Sequence, residues 1–442
     1  MASNGYLFEG GRFVPPKLGQ AAERTAHLRV GPGRSLWRYR DGVYVPNGEE
    51  WLAGFVRRTL GEEFRENRLR EVRAWCRANV DAKLPRQPST DYINVANGLL
   101  WWKETPPRLE PHSPDVTSII QIPVSWEPEA KCAGMERFLR RVLPRQDLAK
   151  CYRLVLEWMG YMLVPSARLK RALLLEGPGD TGKSTLLNVF GALLGPANVS
   201  HATLQSIADD RFAAADLYGR LANISADLDA RAVQRTGMFK MLVSGDPMRV
   251  ERKFEQPFNY RPFTRLVFSA NEAPGTTDQS DAYYGRWLIL PMHARLDLRE
   301  QDPHLVDELT SPGELAGLLR NAVAALKILM ARGRFDPPPV MLHAAKEYRA
   351  RTDTVVGFVE DACLSDPQAR ERAGVLYEAY GHWCRENGRQ AMGRQRVAEH
   401  LKDVYALRYA PRHAGYPTWF GLRLRTPADQ HKQEGHGDFG DS

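Results

Sequence analysis

The chain has 442 residues, of which 43% are hydrophobic and 26% are charged. That length predicts about two to three domains, and the ordinary share of charged side chains excludes a wholly disordered chain. Lys and Arg number 61 against 53 Asp and Glu, which gives a formal net charge of +8. This moderate basic excess permits a polyanionic partner but does not by itself identify one.

The sequence also indicates where the protein works. It has no apolar run of the roughly 18 residues that a membrane-spanning helix requires, so we expect no membrane association. The first eleven residues lack the pattern of an export signal, which favours the cytoplasm. Five scattered cysteines without a C-x-x-C pair exclude a disulfide framework and a zinc site, and they predict buried thiols in a reducing compartment. They are Cys76, Cys132, Cys151, Cys363 and Cys384.

The first predicted elements belong to a small α+β domain over residues 34–165. The preceding residues, 1–33, are poorly patterned and are predicted to form an N-terminal arm. Two hairpins are predicted, around Asp41-Gly42 and around Asn97-Gly98, because short β-rich runs flank glycines that accept a positive φ. Apolar residues at three- and four-residue spacing predict one helix over residues 51–80.

A predicted helix over residues 148–162 closes that domain. Residues 166–345 then alternate short β-rich runs with helical runs, which is typical of an α/β domain with a central parallel sheet. The last long helical pattern of this domain covers residues 305–330. Residues 346–425 form a compact C-terminal module, and residues 426–442 are rich in Gly, His and Asp, so we expect them to be disordered.

The most specific motif is a glycine-rich loop that follows the apolar run 172–175. It matches G-x-x-x-x-G-K-[ST] in full and leads into a helical pattern, which is the context of a phosphate-binding loop. Its backbone N–H groups are predicted to cradle phosphates, Lys183 to bind the β- and γ-phosphates, and Ser184 to ligate Mg²⁺. The loop predicts ATP and Mg²⁺ as cofactors, and a glycine-rich turn of another purpose is the alternative. Its residues are Gly177, Pro178, Gly179, Asp180, Thr181, Gly182, Lys183, Ser184 and Thr185.

Two later strands end in polar residues at equal spacing. The first ends at Asp227, 44 residues after Lys183, where a carboxylate is expected to hold Mg²⁺ through water and to orient the attacking water. Asp229 is the fallback for that role, and an acidic turn after a strand is the alternative. The second strand ends at Asn271, a further 44 residues on, and its amide is expected to contact the γ-phosphate. An Asn that merely caps a turn is the alternative.

A single arginine precedes the last apolar strand of this domain. Arg286 follows Gly285 and stands at the mouth of the strand. A guanidinium at this position is expected to reach the γ-phosphate of a neighbouring subunit and to stabilise the charge that develops in the transition state. A surface arginine is the alternative.

Basic residues are concentrated between the strand ends. Residues 231–265 carry eight basic against three acidic side chains, a net charge of +5. A turn at 244–247 leads into a hairpin that is predicted to point into the pore of a ring, where Lys253, with Arg252, Arg249 and Lys240, contacts a DNA backbone. A solvated run of charge is the alternative. The eight basic residues are Arg231, Arg235, Lys240, Arg249, Arg252, Lys253, Arg261 and Arg265.

The C-terminal module has its own basic surface. Residues 385–425 carry nine basic against three acidic side chains, with Tyr405, Tyr409, Tyr416 and Trp419 interleaved. A helix with a two-stranded wing is expected to lay these side chains on a duplex or a fork. A ring-stabilising or partner-docking module is the alternative.

In this order, the motifs of residues 168–293 resemble the superfamily-3 helicase domain of the AAA+ class, in the version found in phage and plasmid primase–helicases. The resemblance is carried by GPGDTGKST, RFAAADLYGRLANISADL, FKMLVSGDPMRVERKFEQPFNYRP and FSANEAP…DAYYGRWLILP. Weaker similarity extends upstream to the helicase-associated N-terminal domain and downstream to a winged helix over residues 375–425. The resemblance implies an α/β, AAA+ type P-loop core in a ring, usually a hexamer, that uses ATP at its subunit interfaces.

Family position also implies a role for each site residue, and the chain departs from the pattern twice. Asp227 is one methylene shorter than the Glu that usually ends its strand, so hydrolysis is slower or Asp229 shares the role. Gly285 precedes a single arginine where paired arginines are frequent. The implied roles are the phosphate-loop pair for Lys183 and Ser184, the metal-and-water carboxylate for Asp227, the sensor for Asn271, the arginine finger for Arg286 and the pore-hairpin lysine for Lys253.

The implied function is that of an ATP-dependent DNA helicase in the replication of a phage, plasmid or integrated mobile element, within a bacterial host cell. Its partners are single-stranded or forked DNA and further copies of itself. No upstream motif resembles a primase site with paired metal-binding acids, so a separate primase or a host replication protein is an expected partner. The alternatives are an origin-binding initiator or loader without processive unwinding, and a non-catalytic interaction protein that retains the fold.

Overall fold

The structure is a computed structural model that describes residues 7–79, 83–85, 87–209, 212–226, 228, 236–251, 257–276, 278–294, 302–389, 391–426 and 429. The chain divides into two compact units. The first comprises residues Met1–Pro274 and Gly285–Leu342, and the second comprises Gly275–Tyr284 and His343–Ser442. The short segment 275–284 therefore belongs to the second unit although its flanking residues belong to the first.

The N-terminal part of the first unit packs three helices and short strands around one apolar core. Its buried side chains include Leu18, Leu52 and Val72. The elements are β1 (Phe8–Glu9), β2 (Arg12–Phe13), α1 (Pro15–Ala26), β3 (Arg29–Val30), β4 (Leu36–Arg40), β5 (Val43–Val45), α2 (Gly48–Leu60) and α3 (Glu66–Ala78).

This arrangement differs from the predicted N-terminal arm. Helix α1 begins with proline, whose fixed φ suits a first helical position. Leu18, Ala22 and Ala26 are buried on one face of α1. At Gly19 an added Cβ would lie 2.3 Å from the Trp75 ring of α3, so the two helices are in direct contact. Only three apolar positions carry this face, which explains why the sequence pattern of the segment is weak.

The single helix predicted over residues 51–80 is two helices. Helix α2 is capped by Gly61, whose φ of 57° lies in the region that favours glycine. Helix α3 starts only after Arg65. The first predicted hairpin is confirmed, because β4 and β5 pair from Arg40 to Val43 across a two-residue turn. Both turn residues have positive φ.

The next elements connect this core to the central sheet. The second predicted hairpin is confirmed by the antiparallel pairing of Val95 with Gly98. The predicted helix over residues 148–162 is confirmed with the same bounds. The elements are β6 (Ile93–Val95), β7 (Gly98–Trp101), β8 (Arg108–Glu110), α4 (Ala133–Val142) and α5 (Leu148–Met162).

A five-stranded parallel sheet forms the centre of the first unit, as the alternating pattern predicts. Every residue of the inner strands β9 and β14 and of the edge strand β15 is buried. This burial is expected where helices cover both faces of a sheet. The strand order is β10-β11-β14-β9-β15. The elements are β9 (Ala172–Glu176), α6 (Lys183–Leu194), β10 (Val199–Ser200), α7 (Leu204–Asp209), α8 (Ala213–Asp216), β11 (Ala222–Ser225), α9 (Thr236–Ser244), β12 (Met248–Val250), β13 (Phe258–Tyr260), β14 (Arg265–Ala270), β15 (Trp287–Pro291), α11 (Leu305–Leu309) and α12 (Pro312–Arg332), with α10 given below.

Helices α5 and α12 pack closely and enclose a buried ion pair. An added Cβ at Gly160 of α5 would lie 2.3 Å from the carbonyl oxygen of Ala322 in α12, so the helices meet backbone to backbone. Glu157 is 1% exposed and accepts two hydrogen bonds from Arg332, at 3.1 and 2.6 Å. Arg153 lies 3.5 Å from the same carboxylate.

We expect Arg332→Ala to lower the free energy of unfolding by about 3 kcal/mol, because it leaves the Glu157 carboxylate buried without its bidentate partner. Urea denaturation followed by tryptophan fluorescence measures this change. Arg153→Ala is the matched control, and we expect it to cost less than about 1 kcal/mol because that arginine is more exposed and its contact is longer. Equal losses of unfolding free energy in the two variants would contradict the assignment of Arg332 as the main partner of Glu157.

The second unit combines helices with a three-stranded antiparallel sheet of order β16-β18-β17. Phe358, Tyr380 and Trp419 lie in its apolar core. Its elements are α10 (Asp281–Tyr284), α13 (Pro339–Thr352, whose first four residues belong to the first unit), α14 (Thr354–Ala362), β16 (Cys363–Arg372), α15 (Ala373–Glu386), α16 (Arg394–Tyr405), β17 (Arg408–His413) and β18 (Tyr416–Leu424).

Helix α10 is fastened to α13 inside the second unit. The Tyr283 hydroxyl lies 3.0 Å from the Tyr348 hydroxyl, and the Tyr284 hydroxyl lies 2.8 Å from Oγ1 of Thr352. Arg349 adds an ion pair of 2.8 Å with Asp281, on the helix itself. Burial raises the pKa of Tyr348 above its ordinary range, so its hydroxyl stays protonated. Helix α10, which precedes Arg286 in the chain, is therefore held by side chains of α13.

The cysteines behave as the sequence predicts, since all five are described, buried and free. Burial raises the pKa of the thiols of Cys76, Cys151 and Cys363 to about 12. None of the helices within the described ranges is long and apolar enough to span a membrane. The predicted disorder of residues 426–442 falls outside the described residues, apart from Thr426 and Asp429.

Candidate nucleotide-binding site

The glycine-rich loop connects the end of β9 to the start of α6. Gly177 has a φ of 155°, and an added Cβ would lie 2.0 Å from the carbonyl oxygen of Met292, so only glycine fits there. Gly182 has a φ of 86° and immediately precedes α6. The loop therefore places its backbone at the N-terminus of a twelve-residue helix, where N–H groups and the helix dipole favour an anion.

Lys183 lies at the mouth of this loop. It is 6% exposed, and its Nζ donates hydrogen bonds to the carbonyl oxygens of Gly177, at 2.6 Å, and Pro178. The same Nζ lies 3.5 Å from Oδ1 of Asn271. The structure thus brings together two predicted site residues that are 88 positions apart in the chain.

The pairing of β14 with β9 explains this proximity. Ala270, the last residue of β14, is in register with Glu176, the last residue of β9. The N–H of Gly177 donates to the carbonyl oxygen of Ala270 at 3.1 Å. Because both strands end at the same edge of the sheet, Asn271 and the phosphate loop start side by side. This carboxyl edge is where ligands bind in parallel α/β sheets.

Glu176 is a site residue that the sequence analysis missed. It is 8% exposed, and its Oε1 accepts a hydrogen bond of 3.0 Å from the N–H of Ala273. The carboxylate thereby ties the segment after Asn271 to the last residue of β9, next to the loop. Its only signal in the sequence is a charged residue at the end of an otherwise apolar strand.

A cavity of about 780 Å³ opens beside the loop. Its volume lies within the range of about 300–1,000 Å³ that is usual for small-molecule sites. One wall is the loop with Asn271, and the other walls come from α4 and from the region of α11. The lining residues are Gly179–Thr185 and Asn271, then Gly134, Arg137, Phe138 and Arg141, and then Asp302, Leu305, Val306 and Glu308.

The walls from α4 and α11 were not predicted. Helix α4 packs directly on the loop, since an added Cβ at Gly182 would lie 2.8 Å from Cγ1 of Val142. Nη2 of Arg137 lies 2.9 Å from Oε1 of Glu308, which links α4 to α11 across the cavity rim. Neither segment carries a ligand motif, so their contribution depends on tertiary packing alone.

The loop suits a magnesium–phosphate ligand. Ser184 is exposed and lines the cavity, while Thr185 is half-buried behind it. Within the described part of the chain, no three His, Cys, Asp or Glu side chains cluster as a metal site. The exposed Ser184 hydroxyl is a ligand of the kind that Mg²⁺ takes when substrate phosphates and water supply its other oxygens.

The predicted metal carboxylate lies outside the described residues. Asp227 and its fallback Asp229 are not among them, although Leu228 between them is. The N–H of Leu228 donates to the carbonyl oxygen of Ser269 at 2.7 Å. The chain that leaves β11 therefore runs beside the end of β14, two residues before Asn271.

Arg286 lies at the opposite edge of the sheet. It precedes β15, whose first residue Trp287 is in register with Ala172, the first residue of β9. Five residues of strand separate that edge from the loop, which corresponds to about 16 Å. Nη2 of Arg286 donates to Oγ of Ser244 at the C-terminus of α9, at 2.8 Å. Within one chain, Arg286 and Lys183 are thus kept apart.

The basic hairpin is described at its base. Strands β12 and β13 pair antiparallel, with Arg249 opposite Asn259. Met248 and Val250 are buried, whereas Arg249 points outward and is exposed. Lys240 lies half-buried on α9. The predicted DNA contacts Arg252 and Lys253 fall outside the described residues, with Arg231 and Arg235.

Arg265, one of the eight basic residues counted with this hairpin, is not on its surface. It is 3% exposed within β14, and its guanidinium lies 4.0 Å from the centre of the Tyr161 ring. It donates hydrogen bonds to the carbonyl oxygens of Val164 and Ser166. Burial lowers the pKa of Arg265. Its guanidinium is part of the interior of the sheet. The exposed positive charge of residues 231–265 is therefore smaller than the count of eight basic residues suggests.

Two family models match separate parts of the chain. Residues 21–144 match the family described as D5 N terminal like. Residues 175–286, which contain the phosphate loop, Asn271 and Arg286, match a family of unknown function, DUF5906. The first match runs from the second half of α1 to α4, and the second covers most of the central sheet.

A viral protein and several solved structures of one region are among the proteins similar to this chain. "Putative helicase 022R" of Frog virus 3 (isolate Goorha) is 22% identical over 264 residues, which cover 54% of this chain and 27% of the viral protein. The apo A form of the NrS-1 C terminal region is 10% identical and has a TM-score of 0.51, covering 92% of this chain and 99% of the other. A second structure of that region is 12% identical with a TM-score of 0.49.

The chain thus spans about a quarter of the viral relative's length, and its likeness to the NrS-1 region concerns the fold. The D5-type segment and the viral relative support a relationship with the phage-type primase–helicase family.

Proposed function

We propose that the protein is an ATP-dependent DNA helicase or translocase of the superfamily-3, AAA+ type, which acts in the replication of a phage, plasmid or integrated mobile element. The observation that carries the proposal is the placement of Lys183 beside Asn271, at the carboxyl edge of a parallel sheet and next to a cavity of about 780 Å³. The D5-type segment and the viral relative support a role in replication.

The residues of the phosphate loop and of the strand ends have separate roles in the proposed ATP hydrolysis. The backbone of the loop holds the phosphates at the start of α6, and the Lys183 ammonium neutralises charge on the β- and γ-phosphates. Ser184 supplies a hydroxyl ligand to Mg²⁺, which offsets the charge that develops on the phosphate oxygens. Asn271 orients the γ-phosphate, and Asp227, with Asp229 as the alternative, is the carboxylate that orients the attacking water.

The position of Arg286 supports catalysis across a subunit interface. It lies about 16 Å from its own loop, at the other end of the strands, so it serves the nucleotide of a neighbouring copy. A head-to-tail interface forms a ring when its rotation closes, and we propose a closed ring of six subunits. The hairpin with Arg249, Arg252 and Lys253, and Lys240 on α9, then lines the path of single-stranded DNA.

A specific observation favours the second candidate, an origin-binding initiator or loader. On the sheet of the second unit, the guanidinium groups of Arg370 and Arg408 lie 5.8 and 4.1 Å from the centre of the Phe420 ring. Arg372 lies 3.9 Å from the Tyr416 ring. A sheet face so rich in arginine suits a DNA duplex, as expected of a winged-helix module.

Strand displacement on forked DNA separates the two candidates. We expect ATP- and Mg²⁺-dependent unwinding of a fork with one tail polarity, ATP turnover that is stimulated by single-stranded DNA, and ring particles by electron microscopy. A blunt duplex is the control substrate and should not be unwound. Tight duplex binding with no unwinding of either fork would support the initiator, and a protein that stays monomeric with ATP and DNA would overturn the helicase proposal.

A further inference from the structure

A second cavity lies at the base of the basic hairpin, within the first unit and away from the phosphate loop. It has a volume of about 490 Å³ and is formed by three stretches that are distant in the sequence. We call it the hairpin pocket. Its lining residues are Val30–Arg34, Lys83–Pro85, and Tyr218 with Pro257–Tyr260.

Aromatic rings form one side of the hairpin pocket. The Tyr218 ring lies 5.1 Å from the Phe258 ring and 5.4 Å from the Tyr260 ring, both in edge-to-face arrangements. The Tyr260 hydroxyl donates to the carbonyl oxygen of Ala214 at 2.9 Å, which fixes the cluster on α8. Tyr218 and Tyr260 are buried, whereas Phe258 is half-exposed and the Asn259 amide is exposed. The pocket thus offers an aromatic surface beside a side chain that both donates and accepts hydrogen bonds.

Cations form the other side. Arg34 and Lys83 line the pocket and are exposed, and Arg249 stands opposite Asn259 on the adjoining strand. Arg261 is exposed one residue after β13. In the part of the chain that the structure describes, none of these four side chains forms an ion pair. Exposed cations on neighbouring segments of the first unit favour a polyanionic ligand.

The backbone holds the two lining cations in place. The loop that carries Arg34 is closed by a hydrogen bond of 2.8 Å from the N–H of Gly31 to the carbonyl oxygen of Ser35. An added Cβ at Gly31 would lie 2.1 Å from Nε1 of Trp37, so this loop is packed tightly on β4. The segment with Lys83 is tied to β3 by the N–H of Leu84, which donates to the carbonyl oxygen of Val30 at 2.9 Å. Both cations are therefore presented from ordered backbone, which lowers the entropy cost of binding.

We propose that the hairpin pocket binds single-stranded DNA, with a base on the Phe258 ring, its edge at the Asn259 amide, and the flanking phosphates on Arg34 and Lys83. Stacking on aromatic side chains combined with backbone cations is the usual chemistry of single-strand recognition. A pocket of this kind takes an unpaired base, whereas the bases of a duplex are stacked and paired. This site rests on the proposed function, because it lies beside the hairpin that we propose to contact the translocated strand.

Fluorescence anisotropy with a labelled oligothymidylate, on the full chain without nucleotide, tests the proposal. We expect the double variant Arg34→Gln/Lys83→Gln to bind about tenfold more weakly, and the slope of log affinity against log salt to fall by about 1.4, since each neutralised phosphate contributes about 0.7 on a single strand. Arg57→Gln/Arg334→Gln is the matched control, because it removes two exposed arginines that do not line the pocket. The control should keep both the affinity and the slope.

Phe258→Leu tests the stacking contact separately. It keeps an apolar side chain against Tyr218 but removes the aromatic ring, so we expect affinity to fall at least about fivefold with an unchanged salt slope. Unchanged binding in both pocket variants, an equal loss in the control variant, or an equal loss of blunt-duplex binding in the pocket variants would overturn the proposal. The helicase proposal fails independently of this assay, because it is tested by ATP turnover rather than by DNA binding without nucleotide.

Discussion

The Lys183→Ala variant is expected to lose ATP turnover by at least about 100-fold, and with it all unwinding. The ammonium of Lys183 lies between the loop carbonyl oxygens and Asn271, where it faces the cavity wall formed by the loop. Among the described residues that line that cavity, Lys183 is the single lysine. Release of phosphate from ATP, measured with and without single-stranded DNA, gives the size of the loss.

Lys150→Ala is the control for Lys183→Ala. It removes the same charge from an exposed position on α5, so it should turn over ATP at the wild-type rate. Circular dichroism should show that both variants retain the wild-type helix content. Turnover that survives the loss of Lys183 would refute the assignment of the phosphate loop.

The Arg286→Ala variant is expected to lose about 1,000-fold or more in ATP turnover while it still binds nucleotide at wild-type affinity. Nucleotide binding is expected to be retained because Arg286 precedes β15 at the sheet edge opposite the loop and does not contact the nucleotide of its own chain. Turnover assays and the fluorescence of a labelled ATP analogue separate catalysis from binding. Ser244→Ala is the control, since it removes the hydrogen-bond partner of Arg286 but leaves the guanidinium in place.

Mixing the two inactive variants tests whether Arg286 acts between subunits. In a random equal mixture, about a quarter of the head-to-tail interfaces combine an intact Lys183 with an intact Arg286 from the neighbouring copy. We therefore expect the mixture to regain a substantial part of the wild-type turnover. A mixture as inactive as its two components would contradict catalysis across the interface.

The parts of the site that sequence could predict are those that local rules determine. The phosphate loop needs glycines at fixed positions between a strand and a helix, and the conformations of Gly177 and Gly182 meet that requirement. Asn271 could be predicted to join the loop because parallel strands end at one edge of a sheet. The two tight hairpins and helix α5 were likewise predicted from patterns within a few residues.

The parts that sequence could not predict depend on contacts between distant segments. The cavity walls of α4 and α11 contain no motif, and they reach the loop only through packing such as that of Val142 on Gly182. A count of basic residues assumes that Arg265 is on the surface, but its guanidinium is enclosed by Tyr161 and backbone carbonyl groups. Helix α1 buries only three side chains apart from Gly19, too few for its sequence pattern to be distinguished from an irregular arm.

The side chains that hold α10, those of Tyr348, Thr352 and Arg349, all come from later in the chain. A shortened protein that stops after Leu342 would lack all three of these side chains, so α10 would lose its contacts with α13. The chain between Asn271 and Arg286 would therefore be less restrained. Truncation after Leu342 is therefore a poor way to isolate the phosphate-loop segment, because it removes the contacts of a helix that ends only one glycine before Arg286.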